Sequence, residues 1–216
     1  MILRFNNLGI IEKAEIDISK QFILFTGPNG TIEHYHPKSK TPNETFDWDN
    51  LFIGCTLCNT PKSDFDTSKE PFIHPVADNP EDYLTFDDLM YIPKASSGPT
   101  YQKARNVIDH CKLERIPLTR KHAEIQFAFM ANREALNKKL DLYKSRKNDK
   151  SKLQDAADIL TSLIDLNKEA SDDAEYAGYM RFLLRKYDVI KSAVAVIDAH
   201  KDELGIPAGF QWSFAF

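Results

Sequence analysis

The stretch that decides the predicted fold runs Ile32-Glu33-His34-Tyr35-His36-Pro37-Lys38-Ser39, then Asp49-Asn50-Leu51, then Cys55-Thr56-Leu57-Cys58-Asn59. An acidic residue directly precedes a histidine, and two asparagines follow nine positions apart. Lys62 comes three residues after the second asparagine, which would put both on one face of a helix. The surrounding sequence is rich in Pro, Asp and aromatic residues and has little periodicity. We expect a loop-rich site there rather than long regular elements.

This order and spacing resemble the HNH, or ββα-metal, nuclease motif. The resemblance implies two short strands and a helix around one metal ion, with Glu33 and Asn59 as ligands of Mg²⁺ or Mn²⁺. It implies that His34 is the general base, a role suited to an imidazole that titrates near neutral pH. It also implies that Asn50 holds the histidine and its loop in register, and that Lys62 contacts a phosphate.

The resemblance extends beyond the motif to the HNH subunit of Septu-type and retron-linked antiphage systems. Members of that group work with an ABC-type ATPase and, in some systems, with a reverse transcriptase and its RNA–DNA product. The resemblance therefore implies a nuclease effector of a defence complex that cuts DNA or RNA. The segments that carry it are 32–39, 48–51, Phe72-Ile73-His74-Pro75, 78–83, 107–115 and 118–120.

Two alternatives stay open at this level. Glu33 and His34 could be ordinary strand residues, and the asparagines could be turn formers. A site of this type could also have decayed, leaving a nucleic-acid-binding or assembly subunit without catalytic activity.

Cys55 and Cys58 form a CxxC pair. Many HNH proteins bind a structural Zn²⁺ with two such pairs, one of them before the acidic residue. This sequence has no upstream CxxC, and Cys111 lies outside the motif, so half of the usual ligand set is missing. We expect Cys55 and Cys58 to be buried thiols that pack beside the helix.

Two further histidines are candidates for supporting roles. His36 neighbours the expected base and would face either a phosphate or solvent. His74 lies in Phe-Ile-His-Pro and would be an additional metal ligand, a group that hydrogen-bonds to a ligand, or a structural histidine.

The chain is predicted to have an α+β fold with three parts. Residues 1–31 form a small β segment with strands at 2–5, 14–18 and 22–25; residues 32–95 form the ββα-metal centre; residues 96–216 form a helical lobe with an aromatic tail. Helices are expected after Ser97-Gly98-Pro99, after Pro117, and over 152–168, 173–187 and 188–204, with a break within 144–152. The tail at 209–216 would be a core strand or a docking peptide.

Residues 1–30 also resemble the first strands of an ABC or SMC-like ATPase, ending in Gly27-Pro28-Asn29-Gly30. No Gly-Lys-Ser/Thr follows, so the β- and γ-phosphates of a nucleotide would have no partners and ATP hydrolysis is not expected. The segment would be a mis-joined N-terminus or a fusion from a neighbouring ATPase gene.

Composition narrows the class of protein. A formal net charge of −4 gives no general surface for polyanions, so a nucleic-acid site would have to be local or supplied by a partner. Three cysteines do not make a disulfide scaffold, and no apolar run is long enough to span a membrane. We expect a cytoplasmic protein that does not enter the membrane.

Overall fold

A computed structural model describes the backbone of residues 2–8, 11–17 and 30–215, and the side chains of residues 31–215. The described chain mixes strands with a larger share of helix, which confirms the α+β prediction in its coarse form. It divides into two compact units, residues 1–116 and 117–216.

The strands that the structure describes in the first unit form three antiparallel pairs. β1 (Ile2–Leu8) pairs with β2 (Ile11–Asp17), β3 (Gly30–His34) with β4 (Leu51–Cys55), and β5 (Leu84–Asp87) with β6 (Met90–Pro93). The strands expected near 2–5 and 14–18 are thus present as β1 and β2, whereas the one expected at 22–25 lies outside the described residues. The β5–β6 hairpin was not predicted, since four-residue strands give too short a pattern to read.

β4 leads directly into the short helix α1 (Thr56–Lys62), and the two strands and this helix form a ββα element. Its core side is closed by α2 (Gly98–His110), which begins at the predicted Ser-Gly-Pro signal. The apolar face of α2 is buried through Ala104, Val107 and Ile108. Asn106 on α2 donates a hydrogen bond to the carbonyl of Pro71 (2.8 Å), which ties the helix to the loop after α1.

The second unit is helical. α3 (Ile116–Ser145), α4 (Asp149–Glu169), α5 (Ala177–Lys186) and α6 (Asp188–Ala199) follow in order, close to the predicted ranges. The break between α3 and α4 falls inside the charged stretch 144–152, where the Asn148 side chain caps α4 by accepting from the backbone N–H of Lys150 (2.9 Å).

The core of this unit forms where the apolar faces of α3 to α6 meet. Of the positions that predicted α3, Phe129, Leu136 and Leu140 are buried. The fully enclosed apolar side chains of α4 and α6 are Ala156, Ile159, Leu163, Ile190, Ala193 and Ile197.

The aromatic tail packs onto the second unit without forming a strand in its described part. Phe214 is completely buried, and the backbone N–H of Ser213 donates to Asn167 on α4 (2.7 Å).

Among the described residues, no helix combines the length and the apolar composition that a membrane crossing requires.

Two neighbouring residues of α4 test this core. Leu163 is fully buried and Ile164 is 38% exposed. Leu163→Ala should lower the free energy of unfolding by about 2–5 kcal/mol, because it leaves a cavity, whereas Ile164→Ala should change it by roughly 0.5 kcal/mol or less. Urea denaturation of the two variants measures the difference. Equal losses would show that the helical packing described here is wrong.

Candidate active site

Glu33 and His34 lie at the end of β3, with Phe52 and Leu51 of β4 opposite them. Successive side chains of a strand point to opposite faces, so the carboxylate and the imidazole leave β3 in different directions. Thr31 shares the face of Glu33 and is paired with Gly54 on β4. This face turns toward α1, since Asn59 donates from its amide nitrogen to the Thr31 hydroxyl (3.2 Å) and to the Ile32 carbonyl (3.3 Å).

Gly54 allows this close approach of strand and helix. A Cβ atom at this position would stand 3.1 Å from the Cβ of Glu33 and 3.9 Å from the Cβ of Asn59. The two residues that the sequence proposed as cation ligands therefore flank the same point on β4. A side chain at position 54 would require Glu33 to move, so the close packing of strand and helix explains why this residue is a glycine.

The imidazole of His34 is held by a backbone carbonyl. Its Nε2 lies 2.9 Å from the carbonyl oxygen of Thr45. A carbonyl only accepts hydrogen bonds, so Nε2 carries the hydrogen and Nδ1 of the neutral ring carries the lone pair. The bond thereby fixes both the ring orientation and the nitrogen that can take up a proton.

Asn50 connects the end of β3 to the loop that carries Thr45. Its side chain accepts from the backbone N–H of His36 (2.6 Å) and donates to the carbonyls of His36 (3.0 Å) and Glu44 (3.1 Å). The residue is only 4% exposed, so these bonds form away from water. Asn50 therefore sets the position of the carbonyl that orients His34.

Lys62 forms an ion pair with Glu33. Its ammonium group donates to Glu33 Oε1 (2.5 Å) and to the His34 carbonyl (2.7 Å), and the side chain is 4% exposed. Burial raises the pKa of Glu33 above its ordinary value, and the positive charge of Lys62 offsets this only in part. In this arrangement, Lys62 contacts a protein carboxylate where the sequence suggested a phosphate.

An open cleft of about 350 Å³ runs beside these residues. Glu33, His34 and Asn59 all line it, so the proposed base and both proposed cation ligands belong to residues of one cleft. The opposite side consists of the turn after β3 and the end of α1, through Pro37, Lys38, Ser39, Ser63 and Asp64.

The oxygen atoms at the cleft fit a hard divalent cation. Within the described residues, Glu33 Oε2 and the amide oxygen of Asn59 accept no hydrogen bond, and both are ligand types that Mg²⁺ and Mn²⁺ prefer. No group of three or more His, Cys, Asp and Glu side chains is arranged for metal binding in that part of the chain. A cation here would depend on Glu33, Asn59 and non-protein oxygens.

The other two candidate histidines have structural partners. His36 Nδ1 lies 2.9 Å from the hydroxyl of Thr67, which itself donates to the Tyr35 carbonyl (2.6 Å). His74 Nδ1 accepts from the backbone N–H groups of Val76 and Ala77 (3.2 and 3.0 Å). Burial lowers the pKa of His74, so a neutral, structural ring is favoured at that position.

Cys55 and Cys58 are buried thiols 3.7 Å apart at the start of α1. Burial raises the pKa of Cys58 to about 12. Cys111, which follows α2, lines the same small apolar cavity as Cys58, and burial raises its pKa as well. The raised pKa values of Cys58 and Cys111 favour the protonated thiols at these two positions, and all three cysteines are buried in the first unit.

Thr45 and Gly54 were not identified from the sequence. Thr45 acts through its backbone carbonyl, which carries no signature of residue type. Gly54 could have been noticed, because a glycine inside a predicted strand often marks a close approach of another element.

The ion pair between Glu33 and Lys62 can be tested by its contribution to stability. Lys62→Met should lower the free energy of unfolding by roughly 3–5 kcal/mol, because a buried carboxylate loses its partner. Lys168→Met removes an exposed pair with Asp165 and should change it by about 1 kcal/mol or less.

A double-mutant cycle completes this test. Combining Lys62→Met with Glu33→Gln should cost less than the sum of the two single changes, since the uncompensated charge is then gone. Additive losses would mean that the two side chains do not interact in solution.

Comparison with known proteins gives one partial relative. A segment of 69 residues is 40% identical to "Septu protein PtuB" of Bacillus thuringiensis and covers 32% of this chain. The match spans only about a quarter (27%) of that protein's length. No protein-family model matches the chain, and no solved structure matches it. The similarity thus relates about a third of the chain to a Septu protein.

Proposed function

We propose that this protein is a metal-dependent endonuclease of the HNH type that hydrolyses phosphodiester bonds of DNA or RNA. The observation that carries the proposal is the hydrogen bond between His34 Nε2 and the Thr45 carbonyl, which leaves Nδ1 as the basic nitrogen of a residue that lines the cleft. An imidazole oriented in this way is suited to accept a proton from an attacking water. The adjacent carboxylate and amide oxygens of Glu33 and Asn59 support a cation site at the same surface.

Each residue then has a distinct role. His34 takes the proton from water, and Asn50 maintains its geometry through the 44–45 loop. Glu33 and Asn59 would hold the cation, which when bound neutralises charge on the scissile phosphate and its leaving oxygen. Lys62 keeps the Glu33 carboxylate in place through the short ion pair.

We further propose that the nuclease acts in antiphage defence, as the effector of a complex with an ABC-type ATPase and, in retron-linked systems, with a reverse transcriptase and its RNA–DNA product. The partial identity to a Septu protein supports the defence role. The partners follow from the resemblance of the segments that surround the motif.

A plasmid-nicking assay with Mg²⁺ or Mn²⁺ tests the activity. His34→Ala should reduce the rate by about 10²–10⁴-fold, because a positioned general base contributes that much, and should leave the circular dichroism spectrum unchanged. His200→Ala is the matched control, since His200 belongs to the second unit and bonds to Tyr143 there.

Excess chelator should stop cutting by the wild-type protein. Cutting by His34→Ala at the wild-type rate would show that His34 is not the general base. Cutting in the presence of excess chelator would show that no divalent cation is required.

A second candidate function is a non-catalytic subunit that binds nucleic acid or assembles the complex. The ion pair favours it, because the Lys62 ammonium already neutralises the Glu33 carboxylate without a metal. In that case, a divalent cation would have little reason to bind.

Thermal unfolding in Mn²⁺ separates the two functions. Under the nuclease proposal, Mn²⁺ should raise Tm because the ion binds only the folded protein. At ten times Kd, the free energy of unfolding should increase by about 1.4 kcal/mol. Asn59→Ala should show a smaller shift than the wild type. If the shift is absent, the non-catalytic function is favoured.

A further inference from the structure

The turn that follows β3 presents two side chains to the cleft. The carbonyl of Pro37, a buried residue, accepts from the backbone N–H groups of Lys40 (2.8 Å) and Thr41 (3.0 Å), which closes the turn. Lys38 and Ser39 occupy its centre, are exposed, and line the cleft beside Glu33 and His34. The turn therefore fixes the backbone from which the Lys38 side chain extends.

The lysines around the cleft differ in their partners. Lys62 is buried against Glu33, and Lys40 forms an ion pair with Asp64 (3.4 Å), which follows α1. In the part of the chain that the structure describes, the Lys38 ammonium forms no ion pair and no hydrogen bond, although it lies two residues from Lys40. Lys38 is thus a cation of the cleft whose charge is available to a ligand.

The end of α1 adds a hydroxyl group to the lining of the cleft. Ser63 terminates the helix with φ 47° and ψ −119°, a conformation that favours glycine and costs an L-residue about 1–3 kcal/mol. A serine at this position keeps an exposed hydroxyl at the cleft in spite of that cost. Together with Ser39, it provides neutral hydrogen-bond donors near the Lys38 charge.

We propose that Lys38, Ser39 and Ser63 form a binding site for the nucleic-acid backbone, in which the Lys38 ammonium contacts a phosphate next to the one that is cut. A lysine and hydroxyl groups are the donors that commonly bind phosphate oxygens without reading bases. The site rests on the proposed nuclease function. It is also consistent with a chain of net charge −4, because a local contact needs only the single lysine of the cleft that has no carboxylate partner among the described residues.

Binding measurements in the His34→Ala background test this site, since that background removes cutting. Fluorescence anisotropy in EDTA, with labelled DNA and RNA oligonucleotides in single-stranded and duplex form, gives the affinity of each. Adding Lys38→Ala should weaken binding about 3- to 10-fold and reduce the salt slope by about 0.9 for duplex DNA or about 0.7 for a single strand, one phosphate contact fewer. Lys40→Ala is the matched control and should stay within about twofold, because its charge is already paired with Asp64.

Two further variants sharpen the result. Lys38→Arg should retain binding because it keeps the charge, and Ser63→Gly should lose affinity although it relieves the backbone at that position. Equal affinities of the Lys38→Ala and Lys40→Ala proteins, or no binding of any oligonucleotide by the parent, would overturn the proposed site.

The outcome is distinguishable from that of the nuclease proposal. If the wild-type protein does not cut but Lys38→Ala weakens binding selectively, the binding site stands and the catalytic function fails. If the wild type cuts and Lys38→Ala binds like the control, the nuclease stands and this site is wrong.

Discussion

The arrangement of the cleft depends on the side chain of Asn50, which links the backbone after β3 to the loop at 44–45. Because the Thr45 carbonyl that orients His34 lies in that loop, the bonds of Asn50 act on the imidazole indirectly, through the position of this carbonyl. All three bonds are made by a residue almost inaccessible to water, where unpaired polar groups cost about 1–3 kcal/mol. Loss of these bonds would thus release the loop and the imidazole together.

The second constraint is electrostatic. Glu33 lies between a buried ammonium group and an open cleft, with one oxygen on Lys62 and the other without a donor among the described residues. The ion pair therefore fixes the carboxylate in place through one oxygen, and the other oxygen remains available to a further ligand. This division explains how a buried lysine and a proposed cation site can share one acidic residue.

The sequence predicted the α+β class and most helix positions, because periodicity and capping residues are local signals. It also selected the residues that line the cleft, Glu33, His34 and Asn59, whose roles remain predictions. It missed interactions that depend on distant backbone or on competition between side chains. The role of the Thr45 carbonyl cannot be predicted from residue type, because every residue has a backbone carbonyl. Lys62 was expected to contact a phosphate, whereas in the folded chain it pairs with the Glu33 carboxylate.

The distribution of cysteines has a practical consequence for following the protein in solution. All three cysteines of the chain lie in the first unit and are 4–6% exposed. Residues 117–216 contain no cysteine. A maleimide reacts with the thiolate, and sulfurs that are shielded from solvent react slowly until the surrounding structure opens. Alkylation rates would therefore report local opening around β4, α1 and α2 through the natural cysteines, without any substitution. The helical unit has no cysteine, so it would not contribute to the measured rate.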